Sequence, residues 1–317
     1  MKKTLIAVAA LAATSAFAQV TITGEYAYGY SATTATTGDA SGLGTNTSEL
    51  YINAMEDLGS GMSVKARMTI GGLDRGNALY GGDGSLALVT PSGTLSMNTT
   101  KGADYLTAVA GQGVNWDNMD GKVFTARTSR DGVSFAFPAI SGINFSVGHS
   151  EEASVLGEGS GQTGSSAATG SRINSIAASY AAGPLAVAVN YLDYLEKGTT
   201  DATTKNVVRG GGTYNLGSFS LGLGASQATA AGNQKIVDTL ASLKVPMNAF
   251  TFGATFASRN VADSTVTTNG SRSGYTLSAW YNLSKTTYLT GQYTRYDATV
   301  AAASANTLTH LLLVKDF

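Results

Sequence analysis

Apolar and polar positions alternate with a period of two along most of the chain. Val20, Ile22, Gly24, Tyr26, Tyr28 and Tyr30 fall on one side of an extended segment, and Thr21, Thr23, Glu25 and Ala27 on the other. This is the spacing of a β-strand with one apolar face. It returns where Val64, Ala66, Met68 and Ile70 oppose Ser63, Lys65, Arg67 and Thr69, and where Leu185, Val187, Val189 and Tyr191 oppose Ala186, Ala188 and Asn190. Further on, Phe250, Phe252, Ala254 and Phe256 oppose Thr251, Gly253, Thr255 and Arg259. Sixteen such runs are predicted, at 19–30, 47–58, 62–72, 82–90, 94–101, 133–140, 143–151, 172–181, 185–194, 206–214, 219–227, 235–245, 250–259, 272–281, 286–296 and 307–317.

The connections alternate in kind. Gly59-Ser60-Gly61, Pro91-Ser92-Gly93, Ser141-Gly142, Ala182-Gly183-Pro184, Leu216-Gly217-Ser218, Pro246-Met247-Asn248 and Leu283-Ser284-Lys285 are short and carry turn-forming residues. Between them lie longer polar stretches, the longest being 102–132.

The polar face decides what the apolar face meets. It is rich in Gly, Ser, Thr and Ala, and charged residues make up only 13% of the chain, about half the usual share of a soluble domain. No segment after the N-terminal leader holds 18 consecutive apolar residues, so helices do not span a bilayer here. A closed barrel is the other structure that satisfies every backbone group in hydrocarbon. The expected fold is therefore all-β: a sixteen-stranded antiparallel transmembrane β-barrel with short periplasmic turns, long extracellular loops and a small, polar inner face.

The N-terminus fits export. Lys2 and Lys3 precede an apolar stretch from Thr4 to Ser15, and Ala16-Phe17-Ala18 presents small residues for cleavage before Gln19. Residues 1–18 are expected to be a cleaved signal peptide and 19–317 the barrel. Losing Lys2 and Lys3 from the 20 basic residues leaves 18 against 21 acidic ones, too little positive charge to expect a nucleic-acid partner. With no cysteine the chain has neither disulfide nor thiolate metal site. The two histidines, His149 and His310, stand near no recognisable nucleophile or ligand cluster, and no catalytic or metal site is expected. The glycine-rich run 157–165 lacks the lysine and following helix of a phosphate-binding loop.

Glu56-Asp57-Leu58-Gly59-Ser60-Gly61-Met62 at the first turn, the opening Val20-Thr21-Ile22-Thr23-Gly24 and the terminal Phe317 together resemble the trimeric Gram-negative general porins common in beta-proteobacteria. The resemblance runs at low level along the whole mature chain. It implies a homotrimer in the outer membrane, in contact with lipid and lipopolysaccharide, forming a water-filled channel for passive diffusion of small hydrophilic solutes without a cofactor. It also implies that Phe317 is read by the barrel assembly machinery, and that the third long loop, here 102–132, folds inward as a constriction. Asp117, Asp120, Lys122, Arg127 and Arg130 are its candidate charges, and signed charges in a narrow water path sort solutes. Strand parity adds Lys65, Arg67 and Arg259 to the pore wall, because turning them to lipid would cost about 2–4 kcal/mol each near the midplane. Arg209 joins them on a face that the pattern leaves open. Glu25, Asp57 and Asp238 are the opposing acids, a balance that predicts weak anion preference. A substrate-selective channel marked by an aromatic track, a barrel-anchored adhesin and an outer-membrane hydrolase are the alternatives.

Overall fold

A computed structural model describes residues 19–35, 38–74, 78–101, 104–112, 116–127, 129–152, 172–195, 204–230, 233–262, 271–297 and 305–317. The expected signal peptide and the glycine-rich run 157–165 lie outside them. Sixteen strands follow one another in chain order: β1 (Gln19–Ala35), β2 (Gly38–Gly59), β3 (Met62–Gly71), β4 (Tyr80–Thr90), β5 (Gly93–Lys101), β6 (Ser129–Ala136), β7 (Ile143–Glu152) and β8 (Arg172–Ala182) in the first half. The second half holds β9 (Leu185–Leu195), β10 (Thr204–Asn215), β11 (Ser220–Ala230), β12 (Lys235–Met247), β13 (Phe250–Ala262), β14 (Arg272–Asn282), β15 (Thr287–Asp297) and β16 (Ala305–Asp316). Each pairs antiparallel with its neighbours in sequence, and β1 pairs with β16, so the sheet closes on itself. Closure leaves no edge whose backbone groups would go unpaired in hydrocarbon.

Parity holds on the outer face. Val20, Ile22, Met68, Ile176, Val208, Leu223, Leu277 and Leu311 are all more than half exposed, forming the apolar belt that lipid covers. The tight turns use the left-handed backbone region: Gly59, Ser60 and Gly61 have φ of 78°, 53° and 74°, and Gly142 and Gly217 have φ of 82° and 88°.

Strand boundaries shift by several residues from the sequence reading, most in two places. The first hairpin continues well past residue 30, pairing through Ala35↔Gly38, because small residues such as Ala32, Ala40 and Gly42 extend the ladder without needing apolar alternation. The long loop ends earlier than 132: Lys101↔Ser129, Thr100↔Arg130 and Thr99↔Asp131 are ladder pairs, so Arg130 and Asp131 belong to β6. Backbone pairing to β5, invisible in a polar stretch, sets that limit.

The barrel seam carries the chain terminus. Phe317 N donates to Gly24 O at 3.0 Å and Gly24 N to Phe317 O at 2.7 Å. The Phe317 ring lies over Gly24, where an added Cβ would sit 2.6 Å from the ring and 2.6 Å from the Glu49 carbonyl.

The inner face is not uniformly polar. Leu240, Ala257, Leu312 and Val314 are buried on it, because the segment between β5 and β6 folds into the barrel and covers them. The core of this barrel therefore sits inside its lumen, between that segment and the wall.

Candidate pore constriction

The inward segment opens with a short helix, α1 (Tyr105–Ala110). Asp104 caps it, accepting from Thr107 N at 3.4 Å and from Thr107 Oγ1 at 2.5 Å, which satisfies one of the free amides of the first turn. Burial pushes the Asp104 carboxyl above its ordinary range, although the bonds from Thr107 work the other way. The helix lies against β10, β11 and β12, on a seat of glycines. A Cβ at Gly211 would stand 2.8 Å from Val109 Cγ2, one at Gly224 would stand 3.1 Å from Leu106 Cδ2, and one at Gly222 would collide with the Ala110 carbonyl. Ser242 Oγ donates to that same carbonyl.

The segment next crosses to the far wall. Gln292 Oε1 of β15 accepts from the backbone amides of Trp116 at 2.6 Å and Asp117 at 3.2 Å, while Trp116 Nε1 donates to Asn46 Oδ1 of β2 at 2.6 Å. Asp117 Oδ2 lies 2.5 Å from His310 Nε2 of β16, and His310 Nδ1 lies 2.8 Å from Ser31 Oγ of β1. Lys122 Nζ stands 3.9 Å from the other Asp117 oxygen. Burial works against the Asp117 charge, but the bond from His310, together with the positive charge of Lys122, prevails and holds its carboxyl below the ordinary range. The return half packs Met119, Val123 and Phe124 with Leu106 and Ala110 against Leu240 and Ala257. Each of the larger side chains, Leu, Met, Val and Phe, contributes roughly 1.5–3 kcal/mol relative to exposure. Arg272 Nε donates to Val123 O at 2.6 Å.

The charged residues expected in the pore separate into two groups. Asp117, Asp120, Lys122 and Arg259 are engaged in holding the segment. Arg259, 6% exposed, forms a two-pronged pair with Asp238 at 2.7 Å on each arm and donates to Thr125 Oγ1 at 3.0 Å. Asp120 accepts from Arg127 Nε at 2.7 Å. Lys65 and Arg67 instead stand exposed on the inner face of β3, with the Arg67 guanidinium 4.5 Å over the Tyr51 ring. Tyr51 donates to Glu49 Oε2 at 2.6 Å. Arg67 from the wall and Arg127 from the inward segment border one water-accessible space of about 730 Å³. Arg209, whose face the pattern left open, points inward between outward Val208 and Gly210, stacked 4.3 Å over the Tyr105 ring. Arg130 also faces inward, 3.5 Å from the Tyr194 hydroxyl.

Several contributors were missed by sequence reasoning. Gln292, Asn46 and Ser242 anchor the segment from strands that are distant in sequence, and nothing local marks them. The glycines of β10 and β11 had a signal, since Gly210-Gly211-Gly212 and Gly222-Leu223-Gly224 put bare backbone on the inner face. The acids are also more numerous than Glu25, Asp57 and Asp238: Glu25 is flanked across the ladder by Glu49 and Asp316 on the same inner face.

A closed antiparallel barrel with an apolar outer belt and a long segment folded into its lumen defines an outer-membrane channel protein. More particularly, the chain belongs to the Gram-negative porin family, whose profile matches residues 4–301. It is a porin of the outer membrane. No curated protein sequence matches it. Among solved structures it is similar to the anion-selective porin from Comamonas acidovorans, with 17% identity, a TM-score of 0.74, and coverage of 95% of this chain and 100% of that one. A triple mutant of the Rhodopseudomonas blastica porin shares 14% identity at a TM-score of 0.64, covering 94% of this chain and 100% of the other. A loop-deletion mutant of OmpT, an outer membrane protein of Vibrio cholerae, shares 12% at 0.66, covering 95% and 99%.

Proposed function

We propose that this porin is a passive diffusion channel for small hydrophilic solutes and ions with a weak preference for anions, working as a homotrimer. The observation that carries the reading is the placement of Arg67 and Arg127 on one water-accessible space where the inward segment faces the wall. Lys65 and Arg67 have no ion-pair partner among the described residues, so their charge faces passing ions, partly offset by Glu49 and Asp83 on the same space. The anion-selective porin among the similar structures is of like sign. Export with cleavage after Ala18, recognition of Phe317 by the barrel assembly machinery, and contact of the outer belt with lipid and lipopolysaccharide complete the proposal.

The test is the reversal potential in a salt gradient across a planar bilayer. Replacing both charges, Lys65→Gln with Arg67→Gln, should shift it towards cations. The shift should be larger in dilute salt, because the Debye length is about 10 Å at 0.1 M and about 3 Å at 1 M. An unchanged potential at low salt would refute the role of these two residues and leave Arg127 as the source of the field.

A substrate-selective channel is favoured by one observation. Trp280 stacks on Tyr288 on the inner wall, ring centroids 4.5 Å apart and nearly parallel, beside Trp116. Sugars that slow ion current through the wild-type channel, but not through Trp280→Leu, would support that reading.

A further inference from the structure

Between the inward segment and the wall of β9–β13 lies a second recess, of about 190 Å³, which adjoins the space bordered by Arg67 at Arg127. Tyr194, near the end of β9 that leads into a long loop, and Thr204, the first residue of β10, line its upper side. The recess therefore opens on the extracellular half of the barrel, beside the inward segment.

The walls are of two kinds. Arg127, Arg130, Arg209 and Arg259 line it with the carboxylates Asp104 and Asp238, and Arg127 is paired with Asp120. Both carboxylates are already engaged, Asp238 by Arg259 and Asp104 by Thr107. Arg209 is held in place without being neutralised. Its Nε donates to Asn190 Oδ1 at 2.8 Å, and its plane stacks on Tyr105. Among the described residues no acceptor meets its two terminal nitrogens. Leu106, Phe124, Val207, Ala228 and Ile236 give the recess an apolar part, beside the hydroxyls of Thr125, Thr204 and Ser226.

A preoriented guanidinium fork matches the two oxygens of a carboxylate, and stacking on an aromatic ring reduces the ordering cost of using it. An apolar floor disfavours a strongly hydrated inorganic anion and favours a solute with a hydrocarbon body. The volume equals about six waters at roughly 30 Å³ each, room for a small ring or a short chain. We propose that this recess is a binding site for small organic monocarboxylates with an apolar body, with Arg209 receiving the carboxylate. The proposal deepens the channel reading and rests on it, since it makes the recess a station on the solute's route.

Sodium benzoate is the probe. Titrated calorimetrically into the full-length protein folded in detergent, it should saturate at one site per chain, and sulfate should compete poorly. Arg209→Gln should weaken binding by roughly tenfold or more, the loss of a charge-assisted pair. Ser226→Leu fills the recess, which Ser226 lines, without altering its charge, and should also abolish binding. Each variant is first checked for the heat-modifiable mobility of a closed barrel. Benzoate binding that survives in folded Ser226→Leu, or sulfate that competes as well as benzoate, would overturn the site. So would a wild-type channel that conducts but binds no benzoate. Benzoate binding without stepwise conductance would instead support the site and overturn the channel reading.

Discussion

Charge on an arginine matters differently according to what surrounds it. Arg259 and Arg67 both lie on the inner face, but Arg259 is buried against Asp238 and Thr125, while Arg67 stands in the water path over Tyr51. Removing one partner of a buried pair leaves the other charge uncompensated, at roughly 3–5 kcal/mol. Arg259→Ala should therefore lower the heat-modification midpoint of the folded barrel markedly. The Arg67–Tyr51 stack, exposed to water, is worth only about 0.5–1 kcal/mol, so Arg67→Gln should move selectivity with little change in that midpoint. Parity placed both residues on the inner face correctly. It gave no means of telling an arginine that holds a loop from one that faces passing ions, because Asp238 and Thr125 reach Arg259 from other elements.

At the level of elements, the inward segment is held by shape and by hydrogen bonds at both ends. Its helix rests where β10 and β11 present glycine, and Gly222 in particular leaves room for the Ala110 carbonyl. Overpacking a fitted contact costs about 1–3 kcal/mol. Gly222→Val should lift α1 off the wall into the lumen, so single-channel conductance should fall while closed barrels still form; undiminished conductance would count against the seat. The far anchor predicts a pH response. Asp117 has a depressed pKa in the folded protein, so the stability it contributes is fully present above the usual carboxylate value of about 3.9 and is lost only as pH falls through the lower, folded value. Acidification from pH 7 to pH 5 should not release the segment through Asp117, and conductance noise should stay level over that range. Asp117→Asn, which removes the charge facing Lys122 and His310, should raise the noise at pH 7.

Over the whole molecule, closure is the decisive event, and it occurs at the β1–β16 seam. Phe317 completes the ladder through its backbone and covers Gly24 with its ring. Deleting Phe317 removes both contacts at the last point of pairing, so the yield of heat-modifiable barrel should fall sharply while conductance of the barrels that form stays near wild type. Gly24→Val should reproduce the defect with Phe317 intact, because the new side chain would meet both the ring and the Glu49 carbonyl. Normal yield from both variants would remove the seam from the account of assembly.

Much of this was determined by the chain as written. The period-two pattern, the low charge and the spacing of Gly, Pro and Asn turns are local properties, and a strand's side chains alternate whatever its neighbours are. Sixteen strands, the outer belt from Val20 to Leu311 and the inward parity of Lys65 and Arg67 follow from them. The tertiary structure decided what depends on elements far apart in the chain. It placed Arg130 in a strand, because pairing with Thr100 is a property of two segments. It buried Leu312 and Val314 on the inner face, because a segment some 190 residues earlier covers them. It brought Arg127 opposite Arg67 and His310 against Asp117, because a loop's path is set by the surface that receives it, and that surface exists only once the sheet has closed.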